Sequence, residues 1–211
     1  ELDNLGIREN TIIFFASDNG TDKLITGSLN GKKAPGGKGS YTEAGVGGPF
    51  IVNCPGRVPA GTETDALTDL SNMLPTFVEL GGGKVPGNLT IDGESIAPLL
   101  LGKAKDSSRN WAMALNYGAA KLDKEGIRPG QAFGPRVIRD KQYKVWISNK
   151  RQIERLHDLL EDPAEEKNLL ASKQPEHKKA FVKFKKIVST FPKSDGRPLY
   201  DPRAKNSWDR K

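Results

Sequence analysis

The sequence predicts an α/β fold: a sheet-and-helix unit followed by a small antiparallel sheet with a packed helix. Three observations carry this. Thr11-Ile12-Ile13-Phe14-Phe15-Ala16 is an unbroken apolar run rich in β-formers. Its lack of alternation reads as a strand buried on both faces, as in a parallel sheet. Arg136-Val137-Ile138-Arg139 and Tyr143-Lys144-Val145-Trp146-Ile147 flank the polar Asp140-Lys141-Gln142, the pattern of an antiparallel hairpin. Residues 176–191 put Phe181, Phe184, Ile187, Val188 and Phe191 on one side of a helix and Lys179, Lys183 and Lys186 on another.

The first strand ends at Ser17-Asp18-Asn19-Gly20. A glycine-rich stretch follows over residues 21–48, containing Pro35-Gly36-Gly37-Lys38-Gly39, and reads as a long loop without regular elements. Long loops after buried strands usually carry sites. Phe50-Ile51-Val52-Asn53 resumes strand character and stops at Cys54-Pro55-Gly56. Residues 69–80 place Leu70, Met73, Leu74, Phe77 and Val78 on one helical face, with Asp69 or Ser71 as cap, Pro75 near the first turn and Gly81-Gly82-Gly83 as the stop. A short helix is expected over residues 96–101. The tail from Lys193 is rich in Pro, Asp and Arg and has little to pack.

The chain has 211 residues, 36% hydrophobic and 28% charged, which suits a globular protein with a sizeable core. No apolar run approaches the roughly 20 residues of a membrane span, and the start lacks the pattern of a signal peptide. Because the first residue is Glu1, the chain is expected to be a processed product or a piece of something longer. Cys54 is the sole cysteine, so neither an intrachain disulfide nor a cysteine-based zinc site forms. With only His157 and His177 in the chain, both in polar contexts and expected to be exposed, no Cys-His nucleophile arrangement is credible. Residues 1–100 hold 7 Lys and Arg against 12 Asp and Glu, a net −5; the remainder holds 26 against 14, a net +12. The basic second half suits a polyanion, an acidic partner or simply a solvated surface. No nucleic-acid-binding module is visible.

Two motifs could carry chemistry. Asp18-Asn19-Gly20 offers a carboxylate beside a carboxamide, hard oxygen donors of the kind Ca²⁺ or Mg²⁺ takes, although the same residues also make ordinary turns. Its place at the carboxyl end of a strand favours a site, since open α/β sheets bind ligands there. Gly36-Gly37-Lys38-Gly39 sets one ammonium among glycine amides, an arrangement suited to sulfate or phosphate and equally to a flexible turn. The Walker spacing is absent.

Taken in order, Asp18-Asn19-Gly20, then Gly37-Lys38-Gly39-Ser40-Tyr41-Thr42-Glu43-Ala44-Gly45-Val46, then Pro49-Phe50-Ile51-Val52-Asn53-Cys54-Pro55-Gly56 closely resemble the second conserved half of the sulfatase family. The likeness runs on through Asp69-Leu70-Ser71-Asn72 and Asp92-Gly93-Glu94-Ser95 to Leu156-His157-Asp158-Leu159, Asp162-Pro163-Ala164-Glu165 and Asn168-Leu169. The resemblance implies the carboxyl-terminal part of an alkaline-phosphatase-like domain over residues 1–102, an antiparallel-sheet subdomain with its basic helix over residues 103–192, and an extended tail over residues 193–211. It implies a sulfuric ester hydrolase with one Ca²⁺ or Mg²⁺ ion, Asp18 and Asn19 as metal ligands, and Lys38 as the catalytic, substrate-binding cation on the sulfate oxygens. The substrate would be a sulfate ester, including sulfated polysaccharide, and the compartment periplasmic or secreted.

In that family the nucleophile is a formylglycine made within a Cys-x-Pro-Ser-Arg segment. This chain has no such segment. The nucleophile is therefore expected in a missing amino-terminal half of the catalytic domain, and the isolated chain is expected to be inactive. Gly47 also departs from the family, which commonly carries Arg there. The alternatives are a phosphodiesterase or phosphonate hydrolase of the same superfamily, and a non-catalytic polyanion-binding module.

Overall fold

The structure, a computed structural model, describes residues 1–29, 31–89, 91–115, 121–123, 126–128 and 133–195. In the first half β1 (Ile13–Ala16) pairs with β4 (Phe50–Asn53), and β2 (Thr26–Leu29) makes a hairpin with β3 (Lys32–Pro35). Three short helices accompany them: α1 (Glu43–Val46), α2 (Met73–Leu80) and α3 (Ala97–Leu100). In the second half β5 (Ala112–Leu115), β8 (Arg136–Arg139), β9 (Tyr143–Ile147) and β10 (Ile153–Asp158) form one antiparallel sheet in the order β10-β9-β8-β5. Strands β6 (Lys121–Asp123) and β7 (Gly126–Arg128) make a separate pair, and α4 (Pro175–Ser189) ends the regular structure. None of the described helices is long and apolar enough to cross a membrane.

The α/β class and the antiparallel sheet with its helix are as the sequence implies, but the first strand differs. β1 is antiparallel to β4, and Phe15 and Ile51, directly opposite each other, are about 60% exposed, at 61% and 59%. An unbroken apolar run supplies both faces of a strand. Here α2 covers one of them, where Phe14 meets Phe77 edge-on at 5.0 Å and Phe50 at 6.3 Å. The segment expected to be an irregular loop holds the β2–β3 hairpin and α1. Gly31, just before β3, has the positive φ of +75° that tight hairpin turns require, and the sequence there reads Asn-Gly.

Asp69 caps the turn before α2, its side chain accepting from Ser71 N–H while Asn72 Oδ1 takes the Asp69 N–H. The face expected to be buried is largely open, with Leu70, Leu74 and Phe77 at least half exposed. The buried side is instead Asn72, Pro75 and Thr76. Thr76 Oγ1 accepts the Ile96 N–H at 3.0 Å and Asn72 Nδ2 donates to Glu94 O at 2.6 Å, so a polar seam fastens α2 to the start of α3.

The main core lies between the second sheet and α4. Ile138, Val145, Ile147 and Leu156 from the sheet pack with Ala180, Phe184 and Val188 from the helix, the apolar stripe the sequence predicts. Lys178, Lys179, Lys185 and Lys186 remain in solvent, while Lys183 pairs with Asp140 at 2.6 Å. The stretch 116–132 and the tail beyond residue 195 lie largely outside the described residues.

Candidate functional site

Asp18 and Asn19 leave the carboxyl end of β1, with Asp18 exposed and Asn19 half-buried. Backbone hydrogen bonds fasten the segment behind them to two later parts of the chain. Gly20 N–H donates to Gly45 O at 2.9 Å, and Thr21 O accepts both Gly37 N–H and Lys38 N–H at 3.0 Å. Gly20 must be glycine, because a Cβ there would collide with the Ala44 carbonyl. Gly45 is held likewise, since its Cβ would strike the Ser40 and Gly37 carbonyls. These contacts place the exposed Lys38 on a loop stitched at Thr21, three residues beyond Asp18. The candidate metal loop and the candidate sulfate-binding lysine, 20 residues apart in sequence, are brought together through backbone rather than through side-chain pairing.

The residues offer Ca²⁺ or Mg²⁺ the right kind of donor, a carboxylate and a carboxamide oxygen at an accessible strand end. Among the described residues no group of three or more His, Cys, Asp or Glu gathers around one point. Asp18 and Asn19 therefore fit as part of a coordination sphere of about six to eight oxygens, not as the whole of one.

The loop that carries Lys38 runs on into Tyr41 and Glu43, which rest on the face of the second sheet opposite α4. Alternation along β9 sends Val145 and Ile147 to the core and Lys144 and Trp146 to this other face. Lys144 is fully buried, and its ammonium bonds Glu43 Oε1 at 3.0 Å and Glu165 Oε1 at 2.9 Å. Arg139, paired with Lys144 across β8 and β9, bonds Glu43 Oε2. Glu165 Oε1 also accepts the Glu43 N–H at 2.7 Å, and its Oε2 accepts Trp146 Nε1–H at 2.9 Å. Tyr41 donates its hydroxyl to Pro135 O at 2.6 Å and meets Trp146 edge-on at 5.5 Å. A cavity of about 350 Å³ lies beside this cluster, bounded by Gly47, Gly48, Ala112, Val137, Arg139 and Lys144 among others.

Sequence reasoning singles out Asp18, Asn19 and Lys38 as candidates and passes over Lys144 and Glu165, which the structure places in the buried cluster beside the loop that carries Lys38. The available signal was Lys144 itself, a cation set among Tyr143, Val145 and Trp146 in a hairpin strand. A charge there needs a partner if the second sheet face is covered. His157, expected to be exposed, is buried on that face beside Lys144. Burial pushes its imidazolium below the usual range, against the pull of Glu165 and Asp162. Cys54 is buried, with its thiol directed at the Glu9 carbonyl at 3.4 Å, in keeping with a packing role.

Residues 38–191 match the family described as N-sulphoglucosamine sulphohydrolase, C-terminal. The chain is 26% identical to the ulvan-active sulfatase of Formosa agariphila over 90% of its own length and 39% of that protein's. It is 29% identical to arylsulfatase A of Bos taurus over 80% of its length and 35% of the relative's. The structure of BT4656 in complex with its substrate D-glucosamine-2-N,6-O-disulfate is similar in fold, with a TM-score of 0.66 at 22% identity over 89% of this chain and 36% of that one. The chain thus spans between a third and two fifths of the length of these proteins.

Proposed function

Because the chain belongs to the sulfatase family, through the carboxyl-terminal domain that residues 38–191 match, we propose that it supplies part of the active site of a sulfuric ester hydrolase. Asp18 and Asn19 would hold one Ca²⁺ or Mg²⁺ ion, and Lys38 would bind the sulfate oxygens of the substrate. The observation that supports this reading is the backbone stitch from Gly20 and Thr21 to Gly45, Gly37 and Lys38, which joins a loop of oxygen donors to a loop carrying an exposed cation.

A bound divalent ion would act as a Lewis acid on the ester. Lys38 would add a mobile positive charge where negative charge grows as the S–O bond breaks, and the glycines around it let the substrate approach the backbone closely. The formylglycine nucleophile has no source among these residues, since the chain holds no Cys-x-Pro-Ser-Arg and its one cysteine is buried. A sulfated saccharide is the proposed substrate class, by similarity to the ulvan-active sulfatase and to BT4656 with its disulfated glucosamine.

A chimaera joining this chain to the amino-terminal part of the ulvan-active sulfatase, assayed on a chromogenic aryl sulfate and on ulvan, tests the reading. Lys38→Ala is expected to lower turnover by about 10²–10³-fold while the Ca²⁺ requirement stays unchanged. Asp18→Ala is expected to raise the Ca²⁺ concentration needed for activity. Full turnover in Lys38→Ala, or an unaltered Ca²⁺ dependence in Asp18→Ala, would refute the assignments.

A further inference from the structure

The buried ion cluster lies at a junction, with the second sheet on one side and the two candidate loops on the other. Its chemistry is unusual for a packing contact. A fully buried lysine between two carboxylates gains little stability over apolar residues of the same volume, because desolvating the charges offsets most of their attraction. What a hydrogen-bonded cluster supplies, and an apolar contact does not, is a fixed direction and distance.

Two features show how much geometry is concentrated there. Glu165 is not glycine, yet its backbone has a φ of +58°, a conformation side chains rarely adopt and one that persists only where the surroundings enforce it. Its carboxylate then takes three donors at once: the Lys144 ammonium, the Trp146 indole N–H and the backbone N–H of Glu43. Glu43 is the first residue of α1, so both its backbone and its side chain are held. Two residues on, the Gly45 carbonyl receives Gly20 N–H, and the Gly37 carbonyl crowds against Gly45. The path from Lys144 to the Asp18 and Lys38 loops therefore runs through polar bonds, the single turn of α1 and contacts too close for a methyl group.

We infer that Lys144, acting with Glu165 through Glu43, is a positioning residue that seats the stitched Asp18 and Lys38 loops on the second sheet. The second sheet is then a mount for the site loops as well as a domain with its own core. The functional meaning rests on the proposed sulfatase site, whereas the mechanical link can be tested without it.

Amide hydrogen exchange on the whole 211-residue chain reads the link at Gly20, Gly37 and Lys38, whose N–H groups bond within the loops. Lys144→Met should speed exchange at these three amides by at least about tenfold, and the milder Glu165→Gln should act in the same direction. Val188→Ala weakens the same subdomain from the α4 side, without touching the cluster, and should leave the three amides within about twofold of wild type. Unchanged exchange in both cluster variants, equal acceleration in Val188→Ala, or no protection of these amides in the wild-type chain would each overturn the inference. Calorimetric titration of the chimaera with Ca²⁺ separates the two ideas: an affinity unaltered by Asp18→Ala counts against the metal ligands and leaves the exchange result standing.

Discussion

His157 Nδ1 stands 3.9 Å from Asp162 Oδ2, too far for a hydrogen bond, in a side chain only 2% exposed. Neither ring nitrogen makes a well-formed hydrogen bond among the described residues, and the pull of the Lys167 backbone on the ring is outweighed by burial. The ring is flanked by Lys144, Glu165, Asp162 and Arg155, and burial prevails over the two carboxylates in lowering its pKa. A folded-state pKa below the unfolded value of about 6.5 means that the unfolded chain takes up the proton first. This contribution to stability is complete above about pH 6.5 and is lost as pH falls through the lowered value. The urea midpoint should therefore drop between about pH 7.5 and 5, and drop less in His157→Leu. Equal drops in both proteins would exclude His157 as the source.

Breaking the ion cluster on one side should cost more than dismantling it. Lys144→Met strands Glu165 in a buried site and is expected to destabilise the chain by about 3–5 kcal/mol. Adding Glu165→Gln removes the stranded charge and leaves Glu43 with Arg139, so the double variant should recover part of the loss. Urea denaturation decides this, and a double variant that costs the sum of the two singles would contradict it.

Glycine at position 20 is there for space. Gly20→Ala should destabilise the chain by about 1–3 kcal/mol, because the new methyl group must displace the Ala44 carbonyl. Gly27→Ala, where a Cβ meets nothing within 4 Å, should fall within about 0.5 kcal/mol of wild type. Thermal melts of the two variants should differ accordingly; matching melts would mean that the stitch between Gly20 and Gly45 is slack.

Incubated with an aryl sulfate, the 211-residue chain alone is expected to give no turnover with or without Ca²⁺. Asp18 and Asn19 provide two ligand residues, and Cys54 is shut away from any substrate. Ca²⁺-dependent hydrolysis that vanishes in Asp18→Ala would show that these residues complete a site by themselves.

The parts of the fold legible in the sequence are those governed by local pattern. The β8–β9 hairpin and α4 follow from alternation and helical spacing, and the capping role of Asp69 from its position before an apolar run. Misreadings arise where a distant partner decides. The apolar run of β1 says nothing of strand direction, and nothing around His157 marks it as buried. The β2–β3 hairpin is a different case: Asn30-Gly31 is a strong turn signal, but the glycine-rich surroundings carry the pattern of an irregular loop. For the site, Asp18, Asn19 and Lys38 stand out by residue type and by their place in a recognisable series. Lys144 and Glu165 do not, because their significance depends on a contact that links Glu43 to Glu165 across 122 positions.

That span has a consequence in time. Glu43 leaves the ribosome well before Glu165, and at about 5–20 residues per second the interval is roughly 6–24 s. Throughout it the loops bearing Asp18 and Lys38 have a local stitch but no seat, and Phe15 and Ile51 lie open beside them. Contacts so distant in sequence form late, after the loop-closure entropy has been met. The nascent protein thus makes the loops before the sheet that seats them, and the interval before Glu165 arrives is when a chaperone has most to protect.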